Sequence, residues 1–139
     1  MKLSELKALL LSHEGMRLKP YRDTVGKLTI GVGRNLEDTG ITQEEANYLL
    51  ENDIRQAKRT AEWAFPWFRD LSLTRQAVVI SMIFNLGIKG FRSFRRLIDA
   101  LEHGDYARAA LEMRSSKWAR QVGDRAVELA RMMKSDTTS

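Results

Sequence analysis

The stretch HEGMRLKPYRDTVGKLTIGVG, residues 13–33, decides how this chain is read. It leaves a helical pattern, passes Pro20, turns at Val25-Gly26-Lys27 and ends in the β-branched, glycine-punctuated run LTIGVG. Proline breaks a helix interior, and a turn between two alternating runs signals paired strands. The segment therefore predicts a small antiparallel hairpin or three-stranded ribbon. Within it Glu14 and Asp23 are the only acids. Thr29 falls on the strand face opposite Leu28 and Ile30.

Working outward, residues 4–13 carry Leu6, Leu9, Leu10 and His13 at helical spacing, with Ser4 as a candidate cap and Gly15 as the stop. On the other side, NLEDTGI at 35–41 reads as a loop. TQEE at 42–45 is a capping box, in which Thr42 accepts from backbone amides and Glu45 reaches back. The helix it starts runs to about Ala64, with Ala46, Leu49, Leu50, Asp53, Ile54 and Ala57 as its stripe, and Pro66 ends the stretch. From Thr74 onward every signal is helical. TRQAVVISMIFNL is apolar nearly all round and predicts a buried central helix capped by Gly87. Short helices follow near 91–102, 105–114, 116–121 and 124–134, and the tail SDTTS is expected to fray.

The expected fold class is α+β, mainly α, in a single domain over 1–139. A small β-ribbon lobe, about 14–60, is joined by a long helix to a larger helical lobe, about 61–134 plus the N-terminal helix. A cleft between two lobes is where a ligand site forms most readily.

Composition narrows the function. Cysteine is absent, which excludes disulfides and thiol chemistry, and two histidines are too few for an ordinary zinc site. No metal is expected. The net charge is +5, and residues 61–139 hold most of it, with 13 Lys/Arg against 9 Asp/Glu. That excess suits an anionic partner such as a bacterial envelope, or simply solubility. No run approaches the ~20 apolar residues of a membrane span. The N-terminus lacks a signal-peptide pattern, so synthesis in the cytoplasm without a membrane anchor is expected.

Glu14 closes a helix beside Leu10, Leu11, Met16 and Leu18. A carboxyl withdrawn from water there would keep its proton longer, as a general acid requires. The plain alternative is a solvated glutamate, although a helix C-terminus disfavours negative charge. Asp23 has an ordinary reading as a turn aspartate bonding its own backbone. Thr29 has one as a β-branched strand residue. Together, two carboxyls with separated pKa values and a hydroxyl that holds water form the equipment for glycosidic bond cleavage.

The string E-x8-D-x5-T, read as Glu14, Asp23 and Thr29 inside HEGxRLKxYxDTxGxxTIGxG, resembles the bacteriophage-type lysozymes (endolysins) of glycoside hydrolase family 24. The resemblance continues through GITQEEA, FNLG at 84–87 and KWARQVGDRA at 117–126. It implies a lysozyme-like fold and hydrolysis of the β-1,4 bond between N-acetylmuramic acid and N-acetylglucosamine in peptidoglycan, without a cofactor. By resemblance Glu14 is the general acid, while Asp23 and Thr29 position the attacking water in an inverting mechanism. Arg125 pairs with the glutamate, Phe84 and Asn85 form one cleft wall, and Gly33 and Asn35 line the other. The implied partners are peptidoglycan glycan strands and a holin-like pore for export, for a monomer that acts in the periplasm or cell wall after release. Two departures stand out. Arg34 occupies a position where many relatives have histidine, and the segment between Gly33 and Ile41 is shorter than in many of them, a trimmed small lobe.

Three other readings compete. Trp63, Trp67 and Trp118 could stack nucleic-acid bases, although their apolar contexts favour packing. The helix at 90–101, with Phe91, Phe94, Leu97, Ile98 and Leu101 on one face, could lie in a membrane surface, although such stripes more often bury a helix. A lytic transglycosylase would cut the same bond with an acid alone, which leaves Asp23 and Thr29 without a task. Nucleic-acid binding is not expected.

Overall fold

The computed structural model describes residues 1–138. The chain divides into two compact units, Met1–Leu49 and Leu50–Ser139, with Ser139 outside the described residues.

In the first unit, helix α1 (Leu3–Glu14) begins after Lys2, which makes no side-chain cap, and stops at Gly15, whose N–H donates to Leu11 O. Ser4 thus lies inside the helix and does not cap it. Three strands follow in the order β1 (Arg17–Arg22), β2 (Leu28–Gly31) and β3 (Arg34–Asn35), both pairings antiparallel. The ribbon is therefore three-stranded, with Thr29 opposite Tyr21 on one side and Asn35 on the other. Helix α2 (Gln43–Ala64) starts with the expected capping box: Glu45 N donates to Thr42 Oγ1 at 3.1 Å, and Thr42 N to Glu45 Oε1 at 2.8 Å.

No hydrophobic side chain of residues 1–49 is fully buried, and α1 buries none of its residues. This changes the reading of α2. Leu49, Leu50 and Ile54 are exposed, and the helix buries only Ala57 and Ala61. The stripe meets a core only in its last two turns, where small side chains let the helix approach closely.

The second unit holds the core. A single 3-10 turn, Phe68–Asp70, leads into α3 (Leu73–Arg92), which buries Val78, Val79, Met82, Ile83 and Phe91. Gly87 interrupts it at φ 73°, ψ 165°, a conformation that a side chain would strain, so the expected stop appears as a sharp break. Then come α4 (Arg95–Glu102), α5 (Tyr106–Arg114), α6 (Lys117–Val122) and α7 (Asp124–Ser135). Asp105 and Ser116 cap α5 and α6 by accepting from Arg108 N and Ala119 N. A run of ring contacts links Trp67, Phe65, Phe91, Phe94 and Trp118 with centroids 4.7–6.5 Å apart. Each such pair contributes about 0.5–1.5 kcal/mol beyond area burial.

These contacts decide between the competing sequence readings. Trp67 and Trp118 are core residues, whereas Trp63 is 84% exposed, because it projects from the last turn of α2 away from Ala61. Phe91, Leu97 and Leu101 are buried, so the 90–101 stripe serves packing. No single described helix is long and apolar enough to cross a membrane.

The chain end is held, not frayed, as far as Asp136. Arg75 Nε donates to Met133 O at 2.7 Å and Nη2 to Lys134 O at 3.1 Å, satisfying carbonyls at the end of α7. Its guanidinium lies 3.8 Å from the Tyr106 ring centroid and pairs with Asp136, which also accepts from Ser72 Oγ. Arg75→Ala strips partners from carbonyls near the core and removes the stacking. We expect a loss of about 2 kcal/mol of stability, measured by urea unfolding; a change below about 0.5 kcal/mol would place this cluster among neutral surface contacts.

Candidate active site

Glu14 is the last residue of α1, and the positive φ of Gly15 turns the chain sharply into β1. The carboxylate is exposed and not withdrawn from water as the sequence suggested, because its apolar neighbours Leu10, Leu11 and Met16 are themselves 42–61% exposed. They line a groove of about 620 Å³ with Lys7, Val32 and Gly33. Gly33 closes it from the turn between β2 and β3. A Cβ on Gly33 would stand 2.9 Å from Glu14 Oε2 and 3.1 Å from its Cδ. With φ at +69° as well, residue 33 has two separate reasons to be glycine.

Asp23 occupies the β1–β2 turn. Its Oδ1 accepts from Val25 N at 3.0 Å and Lys27 N at 2.8 Å, while its own N–H donates to Lys27 O. The ordinary turn reading is therefore true of one oxygen. Among the described residues Oδ2 takes no partner. Thr29 is 2% exposed, and its hydroxyl donates to the same Lys27 O at 2.8 Å. With its proton committed, Oγ1 keeps only acceptor capacity. Lys27 thus ties Asp23 to Thr29 through its backbone, a link with no side-chain signal in the sequence.

Arg34 replaces a histidine expected by resemblance, and its bonding is defined. Nη1 donates to Glu45 Oε1 at 2.8 Å and to Gly40 O at 3.2 Å; Nη2 donates to Glu45 Oε2 at 2.6 Å. This fork, with the Thr42 backbone amide, lowers the Glu45 pKa to about 2. Since the folded value is depressed, any stability from the fork is complete above an unfolded carboxyl's pKa and fades as pH falls toward about 2. The short loop is closed locally. Asn35 Nδ2 donates to Asp38 Oδ2, Asp38 N returns a bond to Asn35 Oδ1, and Arg22 pairs with Glu37. Asn35 is thus engaged in shaping its own loop. The capping-box pattern had singled out Glu45, but only as a helix start.

In the second unit, Phe84 is 46% exposed and lines a groove of about 360 Å³ with Asp53, Gln56, Thr60 and Gly87. Asn85 Oδ1 accepts from Trp118 Nε1 at 2.8 Å, so α6 is fastened beside the break in α3. Arg125 is exposed on the first turn of α7. Among the described residues no group of three His, Asp or Glu could hold a metal ion.

Of the residues singled out by sequence, Glu14, Asp23, Thr29, Gly33 and Asn35 lie in the first unit. There the structure joins Glu14 to Gly33 and Asp23 to Thr29. Phe84, Asn85 and Arg125 lie in the second.

Comparison with known proteins gives this arrangement a family. The model of the phage lysozyme family matches residues 11–134. Probable T4-type lysozyme 1 of Dictyostelium discoideum is 27% identical over 97% of this chain and 96% of its own length. The endolysin of Acyrthosiphon pisum secondary endosymbiont phage 1 is 33% identical over 81% of this chain and 75% of its own. The pre-baseplate central spike protein of Enterobacteria phage T4 is 30% identical over 85% of this chain, which spans 25% of that protein. On these matches the chain belongs to the phage lysozyme family and is a glycoside hydrolase, a muramidase that breaks down peptidoglycan and lyses cells.

Proposed function

We propose that Glu14 is the general acid of this muramidase and that Asp23 and Thr29 hold the attacking water. The bond cut is the β-1,4 link from N-acetylmuramic acid to N-acetylglucosamine. Glu14 passes its proton to the glycosidic oxygen as the C1–O bond breaks. A water attacks C1 from the opposite face, and its proton goes to Asp23; exchange with solvent resets both carboxyls. The observation that carries this reading is the division of labour at Asp23. Oδ1 is fixed by two backbone amides, and Oδ2 is left to accept. Thr29 Oγ1, an acceptor only, can take the water's other proton. A water donating both protons points its lone pair outward, toward a sugar carbon.

The remaining assignments follow the family pattern. Arg125 is a supporting residue of the reaction. Gly33 and Asn35, with Phe84 and Asn85, contact the glycan. The enzyme acts as a monomer, is made in the host cytoplasm, and reaches the wall through a holin-like pore.

The test is stereochemical. Digestion of soluble peptidoglycan strands in deuterium oxide, followed by proton NMR at early times, should show the α-anomer of the new muramic acid end first. First appearance of the β-anomer would mean a covalent or ion-paired intermediate and would sink the water-positioning role of Asp23 and Thr29.

A further inference from the structure

Gly33 lies beside the Glu14 carboxylate, where a Cβ would stand 2.9 Å from Oε2, but the turn that carries it has little to hold it in place. Strand β3 is two residues long, too short to be stable through ladder bonds alone. The residue directly after Gly33 is Arg34, half-buried and paired in register with Ile30. Its guanidinium spans three acceptors: both oxygens of Glu45 and the carbonyl of Gly40. Glu45 is fixed in turn by the Thr42 amide at the start of α2. A planar fork on a carboxylate sets angle as well as distance, which a single ammonium cannot do.

We propose that Arg34 and Glu45 are positioning residues for the catalytic acid. They anchor the Val32-Gly33 turn to the first turn of α2, and Gly33 then confines the Glu14 carboxylate to one placement. The inference rests on the reading of Glu14 as the acid. It also gives the arginine a task of its own. The fork lies wholly within the first unit and keeps its charge at any pH at which a lysozyme works, since Glu45 titrates only near pH 2.

The mechanism makes a specific prediction about kinetics. An acid that wanders by about an ångström loses transition-state contact while ground-state binding of the glycan is unchanged. Arg34→Ala should therefore lower kcat roughly tenfold or more while KM stays within about twofold. Arg34→Lys, which retains charge without the fork, should recover only part of this. Glu45→Gln keeps an acceptor for the Thr42 amide and should lower kcat like Arg34→Ala. Adding Arg34→Ala to Gly33→Ala should cost little more than Gly33→Ala alone, because both act through the same contact.

The assay is steady-state turnover of soluble peptidoglycan fragments, with folded fraction measured by circular dichroism at the assay temperature and Glu14→Gln run in parallel. A kcat per folded molecule that is unchanged in both Arg34→Ala and Glu45→Gln overturns the proposal, as does full additivity with Gly33→Ala. An inactive Glu14→Gln beside normal Arg34→Ala and Glu45→Gln removes positioning and keeps the acid. Full turnover in Glu14→Gln removes both.

Discussion

Glu14→Gln loses lysis of purified peptidoglycan by 10²-fold or more, on the order of what a positioned general acid supplies, and keeps its fold. The amide has nearly the size of the carboxyl, so it fits beside Gly33, which has no Cβ to crowd it. It has no acidic proton to give to a departing glycosidic oxygen. Stability should be unaffected, because Glu14 is exposed and α1 contributes nothing to the core. Turbidity clearing of wall suspensions measures the first claim and a thermal melt the second. Turnover within about threefold of the parent chain would refute the acid assignment.

Asp23→Asn separates chemistry from architecture at one residue. Asparagine keeps an oxygen to accept from Val25 N and Lys27 N, so the β1–β2 turn persists. What it loses is the charge and the second acceptor, replaced by an amide that donates. A water cannot pass its proton there, and the expected loss is again 10²-fold or more without a change in melting temperature. Asp23→Ala is the contrast. It removes the turn acceptor as well, leaving two amides to solvent, and should cost about 1–2 kcal/mol of stability in addition. If Asp23→Asn retains most activity while Asp23→Ala merely unfolds more easily, Asp23 is a turn residue and nothing more. The two variants together distinguish its two oxygens, which no single substitution could.

Local order in this chain was readable because local signals agree. Pro20, the Val25-Gly26-Lys27 turn and the alternation of LTIGVG require strands, and the structure has three. The capping box TQEE begins α2 within a residue of its expected start, and Gly87 breaks α3 where its position requires. Exposure was read less well, because it is not a local property. Leu49, Leu50 and Ile54 form a regular stripe, yet a stripe is buried only where another element covers it, and the covering core begins at Ala57. Trp63 has the same lesson: an aromatic residue in an apolar context is exposed when it points off the packed face. Ser4 was a suitable cap residue two positions too far along, since helix ends shift by a residue or two on weak local preferences.

At the site, residue types and spacing offered Glu14, Asp23 and Thr29 as a possible set, each with an ordinary reading beside it, and the family resemblance made them the candidates. Sequence also determined that residue 33 is glycine without saying why. Only the tertiary structure decided that Gly33 lies against the Glu14 carboxylate, that Lys27 joins Asp23 to Thr29 by backbone bonds, and that Arg34 turns to Glu45. Those contacts depend on strand register and on the direction in which α2 leaves the sheet. Both are set by many weak interactions acting together, and no single residue type carries them.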